Sequence, residues 1–174
     1  MAPFIYIDGN QPKCSLAQFG LIPFWTEDTR FGRRTYNARS ETVADKLSYR
    51  HVWKECKFGL AVMESFFEPV WENGISKRWN IRRADLQPIA VPCIWQRLTD
   101  QKTEEVTLSF SILTINADKN PMMMQFHKHE TEKRSIVVLN ESEYMLCLHA
   151  NHTEAKKLLK PASDDFLIAE SSPR

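Results

Sequence analysis

Residues 106–115 read Val-Thr-Leu-Ser-Phe-Ser-Ile-Leu-Thr-Ile, with Val106, Leu108, Phe110 and Ile112 at alternate positions. Successive side chains in a strand point to opposite faces, so a spacing of two lines these four along one face. The stretch therefore predicts one long strand. Shorter runs rich in branched or aromatic residues predict further strands over 4–7, 19–22, 58–62, 79–81, 89–94 and 135–138. Glu72-Asn73-Gly74 predicts a hairpin tip, and Ala84-Asp85-Leu86-Gln87-Pro88 a second turn. Helical patterns are fewer. They cover 40–46 after Ser40, 49–56, 120–126 opening on Asn-Pro, 141–147 after Asn140, and 152–159 ending before Pro161. Residues 162–174 read as an extended tail. Many short strands in hairpins with several short helices predict an α+β protein built around antiparallel sheet.

The remaining bulk features narrow the function without choosing it. A chain of 174 residues fits one domain, with 43% hydrophobic and 26% charged residues. A net charge of +1 gives no long-range positive field, so any contact with nucleic acid has to come from a local basic patch. Cys14, Cys56, Cys93 and Cys147 are widely spaced, with no CxxC pair. They read as reduced, partly buried thiols, and no metal is expected. No signal-peptide pattern and no run near the length of a membrane span is present, which sets the expectation of a soluble, cytoplasmic protein away from membranes.

Three clusters carry residues suited to chemistry. The first joins Gly20-Leu21-Ile22-Pro23-Phe24-Trp25 to Thr35-Tyr36-Asn37-Ala38-Arg39-Ser40-Glu41-Thr42 through a loop holding Arg30, Arg33 and Arg34. Basic groups beside aromatic rings suit phosphate contacts and base stacking, although core aromatics beside a solvated loop give the same pattern. Asn37 and Arg39, one residue apart, face the same side of an extended segment. The second cluster, Ser65-Phe66-Phe67-Glu68-Pro69-Val70-Trp71, sets an acid among apolar groups. That is either a salt-bridged Glu68 at a strand end or a carboxyl raised toward neutrality for proton transfer. The third, 126–135, contains His127, Lys128, His129 and Arg134. His127 suits a proton shuttle and the cations suit phosphates, with solvated loop charge as the competing reading.

The order of these clusters, GLIPFW, NARSET, the aromatic-Glu segment, SFSILTINA, then FH and KR before an apolar strand, resembles the SRAP family (SOS-response-associated peptidases). The similarity runs from about residue 4 to 148, and NARSET is its most specific piece. It implies a mainly antiparallel, barrel-like β core with short helices. It also implies a monomer whose partner is single-stranded DNA bearing abasic sites, with no cofactor. In the family, a cysteine after the initiator methionine is exposed when that methionine is removed. Its amine and thiol then close on the sugar aldehyde as a thiazolidine, a covalent protein–DNA crosslink that shields the lesion. By position the resemblance makes Asn37 the orienting amide, Glu68 the acid that opens the sugar, and His127 the proton shuttle. Arg39 and Arg134 become phosphate contacts, and Pro23, Phe24 and Trp25 the wedge at the lesion.

The chain departs from the family at its start, where Met1-Ala2-Pro3 stands in place of Met-Cys-Gly-Arg, so a leading segment is expected to be missing and crosslinking absent. Ser135-Ile136 and Pro69 also differ from common family residues. Two other classes remain: a non-covalent single-strand-binding module using Arg39, Arg134 and Trp25, and a thiol peptidase, which needs a cysteine close to His127.

Overall fold

The long strand foreseen over 106–115 forms as β8 (Val106–Asn116), and the rest of the fold is arranged on its two edges. The computed structural model describes residues 1–26, 28–126, 130–163 and 165–173. Along one edge β8 pairs antiparallel with β7 (Ile89–Thr99) and then, near its end, with β9 (Arg134–Ile136). Along the other it pairs parallel with the end of β2 (Gln11–Phe19) and then with β3 (Asn37–Arg39). β1 (Ala2–Asp8) joins β2 to β4 (Phe58–Met63), and β4 joins β7. The ring β1-β4-β7-β8-β2 thus closes on itself, a five-stranded barrel with no free edge around most of its circumference.

Alternation along β8 fills that barrel. Phe110 and Ile112 enter a core with Phe4, Tyr6, Val91, Cys93 and Trp95. Phe4 stacks on Phe110 at 5.6 Å between centroids, and Tyr6 lies 4.6 Å from Trp95. The intervening serines are buried as well, because a loop covers the barrel there. Ser109 Oγ accepts from the Ile22 backbone N–H at 2.9 Å, and Ser111 Oγ donates to the Thr35 carbonyl. Two glycines let this loop fold tightly. A Cβ on Gly20, whose φ is +100°, would lie 2.0 Å from the Gly32 carbonyl oxygen, so the two backbones touch where any side chain would collide.

Outside the barrel, α1 (Arg50–Lys54) covers Leu113, Phe58 and Ile94 with Val52 and Trp53. The pair α2 (Tyr144–Leu148) and α3 (His152–Leu158) covers Leu60, Ile115 and Val137. A second sheet stands apart from the ring, in the order β10-β6-β5, from β5 (Phe66–Glu72), β6 (Ile75–Arg83) and β10 (Leu167–Ser171). Asn73 and Gly74, at φ of 51° and 79°, make the hairpin tip between β5 and β6. The closing stretch supplies β10 through pairing with β6. Two helical expectations fail: residues 40–46 form successive turns, and 120–126 contains only a short 3-10 turn, Met123–Gln125. The expected strand over 19–22 reaches no further than Phe19.

Candidate functional site

β3 and β9 flank the end of β8, and the charged residues they carry cross over it. Arg39 sits opposite Thr114, and Arg134 opposite Asn116. Arg134 grips Glu41, just beyond β3, with two nitrogens on two carboxylate oxygens at 3.0 Å each. Arg39 reaches the other way to Glu132, just before β9, at 3.0 Å. Glu132 also receives Arg134 at 2.9 Å, and the Arg134 guanidinium donates in addition to the Thr114 carbonyl and hydroxyl. Asn116 completes the lattice: its backbone N–H donates to Glu41 at 2.9 Å and its side-chain amide to Glu132 at 3.3 Å.

These contacts set the protonation states. Partial burial on its own would raise the Glu41 carboxyl, but the Arg134 and backbone hydrogen bonds outweigh it and hold the group at about 2. Glu132 is likewise held below the usual carboxylate range, first by its bond from Arg134. Arg134, with only 17% of its side chain exposed, is spent on two carboxylates and a carbonyl. Arg39 is 58% exposed and held by one of them. Asn37 and Arg39 both face solvent on either side of buried Ala38, and the Asn37 carbonyl accepts from the Tyr49 hydroxyl at 3.1 Å.

Glu68 lies on the second sheet, on the face it shares with Phe66 and Val70. That face, with Ile81 of β6, packs against Ala117, Met123 and Phe126, whereas Phe67 and Trp71 of the same strand are exposed on the opposite face. Ala117 follows Asn116, so the Glu68 face abuts the end of β8 where the arginines cross. Burial pushes the half-buried Glu68 carboxyl up to about 7. Its cross-strand partner is Trp79, whose indole N–H is buried with no hydrogen-bond partner among the described residues. The Trp79 ring meets Phe126 edge-on at 6.4 Å. His127, the expected proton shuttle, lies outside the described residues. Ala2 at the start of β1, Phe66 of β5 and Ile136 of β9 all pack on the barrel core, so this end of the barrel gathers the chain's beginning, the Glu68 strand and the crossed ion pairs.

The wedge residues sit elsewhere on the loop covering the barrel. Pro23 is buried, while Phe24 and Trp25 are 57% and 42% exposed. Phe24 packs on His51 of α1 at 4.6 Å, and Trp25 meets Phe31 edge-on at 5.0 Å. Sequence reasoning missed Glu41 and Glu132 as partners of the arginines, and Asn116 as a donor to both carboxylates. Partners some 90 residues apart leave no local signature, and the only usable hint was the excess of acids around Arg134.

No group of residues arranged to hold a metal occurs among the described residues. The single described cysteine–histidine contact is Cys56 Sγ to His152 Nε2 at 3.4 Å, and that nitrogen also lies 2.8 Å from the Trp53 carbonyl oxygen. A nitrogen that donates to a carbonyl carries its proton and cannot take one from the thiol. Cys93 and Cys147 are buried, with thiols pushed up, that of Cys147 to about 12. Among the described residues no helix is long and apolar enough to cross a membrane.

Comparison with known proteins places this arrangement in context. The family model described as SOS response associated peptidase (SRAP) matches residues 2–172. The chain is 26% identical over 167 residues to a Bacillus subtilis (strain 168) protein named abasic site processing protein YoqW, covering 93% of this chain and 70% of that one. Abasic site processing protein YoaM of the same strain is 27% identical, with 93% and 69% covered. Among solved structures, a Bordetella bronchiseptica protein superposes with a TM-score of 0.87 at 27% identity, covering 100% of this chain and 84% of that one. A Bacteroides thetaiotaomicron protein gives 0.82 at 25% identity, covering 97% and 72%.

Proposed function

The chain belongs to the SOS response associated peptidase family, and from that footing we propose that it recognises DNA carrying an abasic site, with Glu68 moving the proton as the exposed sugar opens. The relatives named as abasic site processing proteins support the lesion, and the Glu68 carboxyl carries the chemistry. An abasic deoxyribose is a cyclic hemiacetal. Opening it to the aldehyde takes a proton from the C1′ hydroxyl and puts one on the ring oxygen. A carboxyl near 7 is populated in both forms at neutral pH and suits both transfers. Asn37, exposed on β3, is the amide proposed to orient the opened sugar, and His127 the second proton carrier. Arg39 is exposed enough to turn from Glu132 to a phosphate. Arg134 serves instead as the brace that fixes Glu41 and Glu132, which moves it from DNA contact to support.

A thiazolidine needs an amine and a thiol on one residue, because only then does the imine close into the ring without a second encounter. Tested by themselves, these 174 residues, in which Ala2 follows Met1, are expected to bind the lesion without closing a thiazolidine. Mixed with abasic single-stranded DNA, they give no adduct that survives boiling in SDS; such an adduct contradicts the non-covalent reading. Placing a Met-Cys-Gly-Arg start ahead of the chain supplies the amine and thiol and permits single-turnover crosslinking. On that background Glu68→Gln slows the reaction by ~10²-fold, the scale of one general acid–base group, with no loss of melting temperature. An unimpaired rate removes Glu68 from the chemistry.

A further inference from the structure

Further positive charge, in no ion pair with a described residue, lies away from the crossed ion pairs. A groove of about 540 Å³ runs along α1, lined by Phe24, Leu47, Arg50, His51, Trp53 and Lys54 among others, and its described lining residues include no aspartate or glutamate. Arg50 and Lys54 are exposed and form no ion pair with any described residue, while Glu55 turns to His51 at 3.5 Å. Phe24 presents an exposed ring at the rim, held in place by His51. The groove is also tied to β3: Tyr49, which immediately precedes α1, donates its hydroxyl to the Asn37 carbonyl. Arg39 and Arg134, by contrast, are matched one for one by Glu41 and Glu132.

We infer that the α1 groove binds the single strand running away from the lesion, with Arg50 and Lys54 on its phosphates and Phe24 stacked against a base. The inference rests on the DNA-lesion reading above and adds to it where the flanking strand goes. Arg50 and Lys54, four residues apart, lie on one face of the helix, so both meet one backbone. An exposed ring accepts any base, so the groove reads no sequence. Its side chains do not touch the abasic sugar, so they add equally to the binding of damaged and intact strands.

Fluorescence anisotropy tests this with three labelled oligodeoxynucleotides of equal length: an intact single strand, the same strand with one central abasic site, and a duplex. The 174-residue chain is compared with the Arg50→Gln/Lys54→Gln double variant and with Lys102→Gln in a distant loop, all with melting temperatures checked. The double variant is expected to bind both single strands about tenfold more weakly by a common factor. Its log affinity against log salt should flatten by about 1.4, at ~0.7 for each phosphate of the single strand that is no longer neutralised, with Lys102→Gln unchanged. If the double variant keeps full affinity and slope while the parent still prefers the abasic strand, the groove is overturned and the lesion reading stands. If the double variant weakens but the parent shows no abasic preference, the groove stands and the lesion reading falls. Equal binding of duplex and single strand, an equal loss in Lys102→Gln, or no binding by the parent overturns the groove.

Discussion

Glu68 and Glu41 couple folding to pH in opposite directions. The Glu68 carboxyl rises from 4.5 to about 7 on folding, so the folded protein binds more protons than the unfolded chain across that window. Stability from this group is complete below about 4.5 and is lost as pH rises through about 7. Glu68→Gln keeps the shape and cannot ionise. Its melting temperature should exceed the parent's at pH 8 by about 2–4 °C, on the order of 1 kcal/mol for a chain this long, and match it at pH 4. A lower melting temperature at pH 8 contradicts the assignment. Glu41 works the other way, its carboxyl falling from 4.5 to about 2, so its stabilisation is present above 4.5 and vanishes as pH drops through about 2. Arg134→Met should cost roughly 1–2 kcal/mol at pH 7, discounted for the solvent around Glu41. Acid titration of the melting temperature should show that cost shrinking toward pH 2; a cost independent of pH assigns it to packing alone.

At the scale of elements, the crossed pairs Arg39–Glu132 and Arg134–Glu41 strap β3 and β9 to opposite edges of β8. The first pair is exposed, so a double-mutant cycle on Arg39→Ala and Glu132→Ala should give a coupling of about 0.2–1 kcal/mol that weakens in high salt. A salt-independent coupling places the interaction elsewhere. Which elements were legible in sequence follows from the same physics. β8 was readable because its apolar residues fall at period two and its partners lie on both faces. β2 was not, since Gln11-Pro12-Lys13-Cys14-Ser15 is mostly exposed and has no period to read, and its pairing is set by β1. Residues 40–46 have helix-forming composition, yet Ser40 N–H is claimed by Thr114 and Glu41 by Arg134 and Asn116, which leaves only turns. Asn37, Glu68 and the wedge stood out through residue type and order. The neutralisation of Arg39 and Arg134 was hidden because Glu41 and Arg134 are 93 residues apart.

At the scale of the whole molecule, a net charge of +1 gives no general field, so the proposed hold on DNA rests on local geometry. The barrel carries two faces of different character. One end gathers Glu68, Asn37 and neutralised arginines, suited to proton transfer at a sugar. The α1 side carries Arg50 and Lys54, in no ion pair with a described residue, and the exposed Phe24 ring, suited to the strand proposed to lead away from it. On the proposed function, discrimination of the lesion falls to the first and strength of binding to the second, so the central claim is tested by the ratio of two affinities. Titrating the 174-residue chain at pH 7 and low salt against one single strand, intact or with a single central abasic site, should give at least about tenfold tighter binding to the abasic strand, about 1.4 kcal/mol. Equal affinity for the two strands contradicts recognition of the lesion.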